Sequence, residues 1–437
     1  MSKRTDWFVN DRFGMFIHWG LYAIPGRGEW VRSFENISKE DYQIYFDDFD
    51  PVDVDPRKWV QTAKDAGMKY VVLTAKHHDG FCLFDSKLTD YKITNTKCGR
   101  DIIKEYTDAC RELGMKCGIY YSLIDWYHPD YPHYGDAHHP MRDNEAFKDY
   151  EYNFDNYVEY LHGQVREICS NYGKIDVLWF DFSYKNMQAE KWKATELVRM
   201  VRSLQPDVII DNRLEDNHAP DSARGSLLRG EPTEYAGDFA SPEQVLPHTG
   251  VFDDKGNELV WELCTTLNNN WGYAESDHEY KTADIVIRKL VECVSKGGNM
   301  LINVGPDAKG NIPAWSEEIL AQVGQWMKKN GESIYGCGRF DLPRFDLGRY
   351  TQKDARTIYA HILEQSIGYY YLPGIDPAKV ESIRVLYSGA DAVSNTHEVN
   401  DPDYTGELYV NFVRPKYKSC KLPDPIDSVL KITLKKD

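Results

Sequence analysis

Residues 176–183 read DVLWFDFS, and the fold turns on how this stretch is placed. Val177 to Phe180 are apolar or aromatic at every position, the pattern of a strand covered on both faces, as in a parallel sheet. Asp181 closes the run with a carboxylate, a group that is costly to bury unless its charge is compensated. Comparable runs occur at 15–20 (MFIHWG), 70–80 (YVVLTAKHHDG), 116–126 (KCGIYYSLIDW), 207–213 (DVIIDNR), 260–266 (VWELCTT) and 299–306 (NMLINVGP). Segments of helical period lie between them. In DPRKWVQTAKDAG (55–67), Asp55 can cap, Pro56 takes the first helical position and Gly67 ends the helix. Residues 100–114 repeat that plan, and 281–298 place Ile287, Leu290, Val291 and Val294 on one face. Strand and helix alternating over some 330 residues predict an α/β fold, either a (β/α) barrel or a doubly wound sheet. No GxGxxG opens any of these helices, so a dinucleotide site is not signalled.

Past GESIYG (331–336) the pattern changes to strand-like runs separated by Gly, Pro, Asn and Asp turns, such as ARTIYAHIL, SIRVLYSG and SVLKITL. The expected division is a catalytic unit over 1–336 and an antiparallel β domain over 337–437. The long connections 127–144 and 214–242 are of a kind that is usually functional or mobile.

The net charge of −17 repels phosphate backbones and anionic lipid, which argues against nucleic acid and membrane partners. Nine cysteines, an odd number without a CxxC pair, argue against a disulfide framework or a structural zinc. The N-terminus has no apolar signal core, so the chain is expected to be cytoplasmic, or secreted or periplasmic with its leader absent from this sequence. With 30 Tyr and 11 Trp the chain can fill a core and still spare rings as platforms for sugars.

In barrel enzymes the catalytic groups stand where strands end. Here those ends carry His18; His77, His78 and Asp79; Tyr121, with Asp125 beyond; Trp179 and Asp181; and Asp211, Asn212 and Arg213. A single strand-end His is more often structural, but five polar ends would converge on one mouth. His77, His78 and Asp79 suggest a metal, yet neighbouring strand residues point to opposite faces, so both rings reach one ion only if the strand has already turned. Glycoside cleavage by two carboxyl groups fits better: it needs an Asp or Glu in a dry aromatic setting, with His, Arg and Tyr to fix hydroxyls.

These residues carry a family resemblance. FGMFIHWGLYAIP, GEWV, YVVLTAKHHDGFCLFDS, GIYYSLIDW, VLWFD, SPEQ and SKGGNMLINVGPDAKGNIP, in order through residues 6–336, are similar to the α-L-fucosidases of glycoside hydrolase family 29. The resemblance implies a somewhat irregular TIM-like (β/α) barrel followed by an antiparallel β-sandwich. It implies exo-hydrolysis of terminal α-L-fucosides on oligosaccharides or glycoconjugates, with retention through a covalent fucosyl-enzyme and with no metal or cofactor. Asp181 falls on the nucleophile. His18, Glu29, Trp30, His77, His78, Tyr121, Trp179 and Arg213 fall on positions that hold the ring and its hydroxyls, Tyr120 facing the other way from Tyr121. Trp271 falls on an aromatic position for the apolar face and C6 methyl. Glu243, in SPEQ, is the expected acid/base, with Glu215, Glu231, Glu234 and Asp238 as competitors in the same stretch. Asp181 would stay ionised with help from His and Arg donors. The alternatives are a related retaining glycosidase acting on galactosides and a non-catalytic fucose-binding protein on the same scaffold.

Overall fold

The computed structural model describes residues 3–184, 186–215, 226–342, 345–394, 406–412 and 421–436. Part of the expected connection 214–242, over 216–225, lies outside the described residues, as does Cys420. The other eight cysteines are free thiols.

All seven apolar runs are strands: β1 (Phe13–Ile17), β2 (Tyr70–Lys76), β3 (Lys116–Ser122), β4 (Val177–Asp181), β5 (Ile209–Ile210), β6 (Glu262–Thr266) and β7 (Asn299–Val304). They form one parallel sheet, a half-barrel in the order β5-β4-β3-β2-β1-β7-β6. The segment 238–244 touches both outer strands' neighbourhoods. Phe239 bridges Asp211 beyond β5, while Ala240 bridges Trp261 and Glu243 bridges Cys264, all in parallel sense.

The helices start and stop where the chain dictates. Asp55 accepts from the Arg57 and Lys58 amides at 2.9 and 3.2 Å, Pro56 opens the helix Pro56–Asp65, and Asp101 caps Ile102–Leu113 through the Lys104 amide. Gly67 follows at φ +86, where a Cβ would also press on Met327 at 2.8 Å.

Strand alternation splits the core into two layers. Met15, Leu73, Ile119, Leu178 and Phe180 pack outward against the helices. Phe16, Tyr70, Val72, Tyr120, Trp179 and Leu301 pack together on the inner face. That inner layer is the floor of the site.

Among the described residues seven further strands follow: β8 (Gly348–Asp354), β9 (Thr357–Ile362), β10 (Tyr370–Leu372), β11 (Val380–Val385), β12 (Val393–Ser394), β13 (Leu408–Asn411) and β14 (Ser428–Leu434). They make two antiparallel sheets, β11-β14-β9-β8 and β10-β13-β12, whose residues Ile358, Leu372, Ile383, Val410 and Ile432 share one apolar cluster. The polar strand β8 (GRYTQKD) has little apolar signal; Arg349 pins it to Glu292 on the helix Ala283–Ser295 at 2.7 Å.

Candidate active site

The alternation that separates the layers also aims the polar strand ends. On β4, Val177, Trp179 and Asp181 face inward while Leu178 and Phe180 face the helices. His18 stands one residue past β1. β2 ends at Lys76, and the following turn, closed by the Gly80 amide donating to His77 O at 3.0 Å, frees both His77 and His78 from strand alternation. Their rings lie side by side, centroids 4.0 Å apart. Trp271 is brought in by Asn303 on β7, whose Nδ2 donates to the Trp271 carbonyl at 2.7 Å. These groups, with Trp30, Arg213 and Glu243, line one cavity at the carboxyl ends of the strands.

Asp181 and Glu243 share one guanidinium. Arg213 donates through Nη1 to Asp181 Oδ1 at 2.7 Å and through Nη2 to Glu243 Oε2 at 2.8 Å. The fork is itself fixed: Nε donates to Ser241 Oγ at 3.1 Å, and the group lies over the Trp179 ring, 4.3 Å from its centroid. Tyr120 OH donates to Asp181 Oδ2 at 2.7 Å. Burial raises the Asp181 pKa, Arg213 opposes that rise, and Glu243 adds to it. Two charge-stabilising donors thus answer the cost of a carboxylate in a dry strand end. The two carboxyls differ in wetness, with the Asp181 side chain 11% exposed and that of Glu243 38%.

Two of the histidines, expected as donors, are placed as acceptors. Asn303 spends its amide on Trp271, so its Oδ1 faces His18 Nδ1 at 2.7 Å and must accept from it. Burial pushes the His18 pKa down to about 3, so the ring is neutral and its Nε2 is an acceptor. Likewise Ser122 Oγ donates to Ile124 O and therefore accepts from His78 Nδ1 at 2.8 Å. Burial also holds His78 well below its ordinary range. Its Nε2 lies 3.9 Å from Asp181 Oδ2 and is a second lone pair rather than a donor. Of the His and Arg donors expected to help ionise Asp181, Arg213 does so, while the histidine part is corrected: Tyr120 takes that place, and the imidazoles turn lone pairs to the cavity.

Of the expected residues, Asp181, Glu243, His18, Trp30, His77, His78, Trp179, Arg213 and Trp271 line the cavity. Glu29 stands behind it, buried, with Oε2 accepting from the Gly272 amide at 2.7 Å and so bracing the Trp271 loop. Tyr121 is a correction. It lies on the helix-covered face, where its hydroxyl donates to Gln164 at 2.8 Å and its ring lies 4.5 Å from the Lys76 ammonium. Tyr120 occupies the cavity instead, together with Phe16, Phe182 and Cys264. Among the competing acids, Asp238 is held by Arg4, and Glu234 pairs with Arg199 at the surface. Neither these nor Glu215 and Glu231 line the cavity.

The tyrosine pair gives a direct test. Tyr120→Phe removes a donor to the ionised form of Asp181, worth about 1.5–3 kcal/mol, so kcat/KM should fall about 10- to 100-fold. Because that donor favours the anion, its loss raises the Asp181 pKa, and the acid limb of the pH profile should move to higher pH. Tyr121→Phe should leave both untouched and cost about 1 kcal/mol of stability. A matching activity loss in the two variants would reverse the assignment.

Comparison with known proteins adds a lineage to this geometry. The family model described as alpha-L-fucosidase matches residues 1–332. A solved structure of alpha-L-fucosidase isoenzyme 1 from Paenibacillus thiaminolyticus is 57% identical, covers 99% of each chain and superposes with a TM-score of 0.94. The plasma alpha-L-fucosidase of Homo sapiens is 30% identical over 353 residues, 75% of this chain and 68% of that protein. A GH29 alpha-L-fucosidase from Bacteroides thetaiotaomicron, solved as a trapped covalent intermediate with 2-fluoro-fucosyl fluoride, is 27% identical with a TM-score of 0.81 over 100% of this chain and 97% of that one.

Proposed function

The chain belongs to the α-L-fucosidase family, and from that premise we propose how its cavity carries out the reaction. The protein is a retaining α-L-fucosidase, a glycoside hydrolase acting on fucosylated glycans. In our reading Asp181 attacks the anomeric carbon of a terminal α-L-fucosyl unit. Glu243 protonates the departing glycosidic oxygen, and the fucosyl group is left on Asp181 Oδ. Glu243, now ionised, takes a proton from water, which releases L-fucose with the original configuration.

The observation that carries this reading is the single guanidinium fork touching both carboxylates. Hydrogen bonds of 2.7 and 2.8 Å to one guanidinium draw the two carboxyls together, and retention asks for a close pair, about 5–5.5 Å apart. The wetness difference fits the same division: a dry nucleophile, and an acid/base open to the water it must activate. His18 and His78 accept from ring hydroxyls, His77 and Arg213 complete the polar wall, and Trp179 and Trp271 supply the apolar surfaces. Glu29 and Tyr121 support the site without lining it.

The strand order, in which β1 lies between β2 and β7 and the open edges are β5 and β6, together with the bridges that 238–244 makes beside both edges, supports a (β/α) barrel closed through that segment. The shared apolar cluster of the two antiparallel sheets supports a sandwich, and the change near Gly336 supports the division 1–336 and 337–437.

The experiment is to trap the intermediate. Incubation with 2-fluoro-fucosyl fluoride should add one fluorofucosyl mass to the protein, on the peptide containing Asp181. A label on any other carboxylate, or release of β-L-fucose from an α-fucoside as the first-formed product, would overturn the assignment.

A further inference from the structure

The cavity assigned above to the terminal fucosyl unit is walled on one side by Trp30, and beyond Trp30 stands another ring, that of Phe34. Phe34 stacks on Trp30 with centroids 5.6 Å apart and planes inclined by 25°. The Phe34 amide donates to the Trp30 carbonyl at 2.9 Å, which closes one helical turn and sets both rings on the same side. Yet Phe34 is 73% exposed, so it adds little to the core. Its partner is fixed from below. Trp30 meets Phe182 at 5.2 Å, Trp126 at 5.2 Å and His78 at 5.1 Å between ring centroids.

Phe182, directly after the nucleophile, sits at φ +82, a strained conformation for an aromatic residue of the kind kept at functional sites. Its ring is braced by His138 at 4.8 Å. The helix Val31–Phe34 is braced from outside by the connection 127–144. Ser33 Oγ donates to His138 O at 2.6 Å, and Arg142 Nη1 donates to Ser33 O at 3.2 Å. A rigid shelf of rings therefore runs from the nucleophile's neighbour, across the cavity wall, to an open phenyl face.

We propose that the Trp30–Phe34 stack is the platform for the aglycone: the pyranose to which fucose is joined lays its apolar C–H face on Phe34. The proposal rests on the fucosidase reading and extends it, because it assigns the preferred substrates to glycosides whose second residue is a ring with one flat, unsubstituted face. Continuity decides the occupant. Phe34 adjoins the wall of the terminal-sugar cavity, so the group that leaves this cavity first is the one within reach of it. Rigid rings lose little entropy on binding and suit amphipathic ligands of this kind.

The test compares substrates with and without an aglycone ring. The probes are α-L-fucosyl fluoride, which has none, and whichever α1,2-, α1,3-, α1,4- or α1,6-linked fucosyl disaccharide the wild type hydrolyses fastest. Phe34→Ala should lower kcat/KM for the disaccharide about five- to tenfold, the worth of one aromatic contact, and leave the fluoride unchanged. Phe34→Tyr should restore the disaccharide. Equal losses on both substrates would make Phe34 a support for the cavity and overturn the platform. No loss on either would give the exposed ring to another occupant, such as a protein surface, and would also overturn it. A wild type inert on the fluoride as well as on the disaccharides would instead sink the fucosidase reading, and the platform with it.

Discussion

Asp181→Asn lowers turnover of an aryl α-L-fucoside by about 10⁴-fold or more, the cost of deleting a nucleophile whose partners remain in place. That corresponds to about 5.5 kcal/mol of transition-state stabilisation. Fucose itself should still bind within a few-fold of its wild-type affinity, because the walls that hold the ring are unchanged. The substitution keeps shape but not chemistry. A carboxylate can accept from Tyr120 OH on one oxygen and from Arg213 Nη1 on the other. A carboxamide has one oxygen, so its NH₂ must face one of these donors in a buried setting, which should cost about 1–3 kcal/mol of stability. The thermal midpoint should therefore drop modestly while kcat collapses. Added azide can replace the missing nucleophile more readily in Asp181→Gly, where space is opened, and one displacement then gives the inverted β-L-fucosyl azide. Near-normal turnover in the Asn variant would remove Asp181 from the mechanism.

Strand identity was legible because parallel strands buried on both faces leave runs such as YVVLTAK and NMLINV, and every one of the seven is a strand. Helix ends were legible where Asp, Pro and Gly supply caps and stops, as at Asp55, Pro56 and Gly67. What local pattern cannot supply is which face is inward. Adjacent Tyr120 and Tyr121 have the same composition and opposite fates. Their parity is set by pairing with β2, which itself carries an irregularity between Thr74 and Lys76. Long-range partners also decided the histidine roles: Asn303 lies 285 residues from His18, and only its second bond, to Trp271, fixes the tautomer. The segment 238–244 carries no strand signal in its sequence because it pairs through isolated bridges and contains Pro242, which has no amide to donate. Glu243 was a candidate for the acid through the resemblance carried by SPEQ, and what sets it apart from Glu234 and Asp238, which are arginine-paired as it is, is its place on the cavity wall.

Glu243→Ala should show a loss that depends on the leaving group, and that dependence separates an acid/base from a merely structural carboxylate. Arg213 occupies Glu243 Oε2, so Oε1 is the oxygen left to carry a proton to the glycosidic bond. With a glycan or alkyl fucoside the departing oxygen needs that proton, and kcat/KM should fall by about 10²- to 10⁴-fold. With a 2,4-dinitrophenyl fucoside the leaving group departs unaided, so kcat/KM should hardly change while kcat falls, because the fucosyl-enzyme then waits for an unassisted water. Azide, which needs no base, should restore kcat on that substrate. It meets a sugar already inverted once by Asp181, so the product must be α-L-fucosyl azide, opposite in configuration to the product from Asp181→Gly. The neighbour Gln244 adds a control. It holds φ +59 and is clamped to β6 by its amide to Cys264 O at 2.9 Å and by side-chain bonds with Thr265 and Thr266, so the backbone position of residue 243 should survive removal of its side chain. Uniform loss across leaving groups, with no azide rescue, would transfer the proton-transfer role to another carboxylate and leave Glu243 as the counter-charge that steadies Arg213.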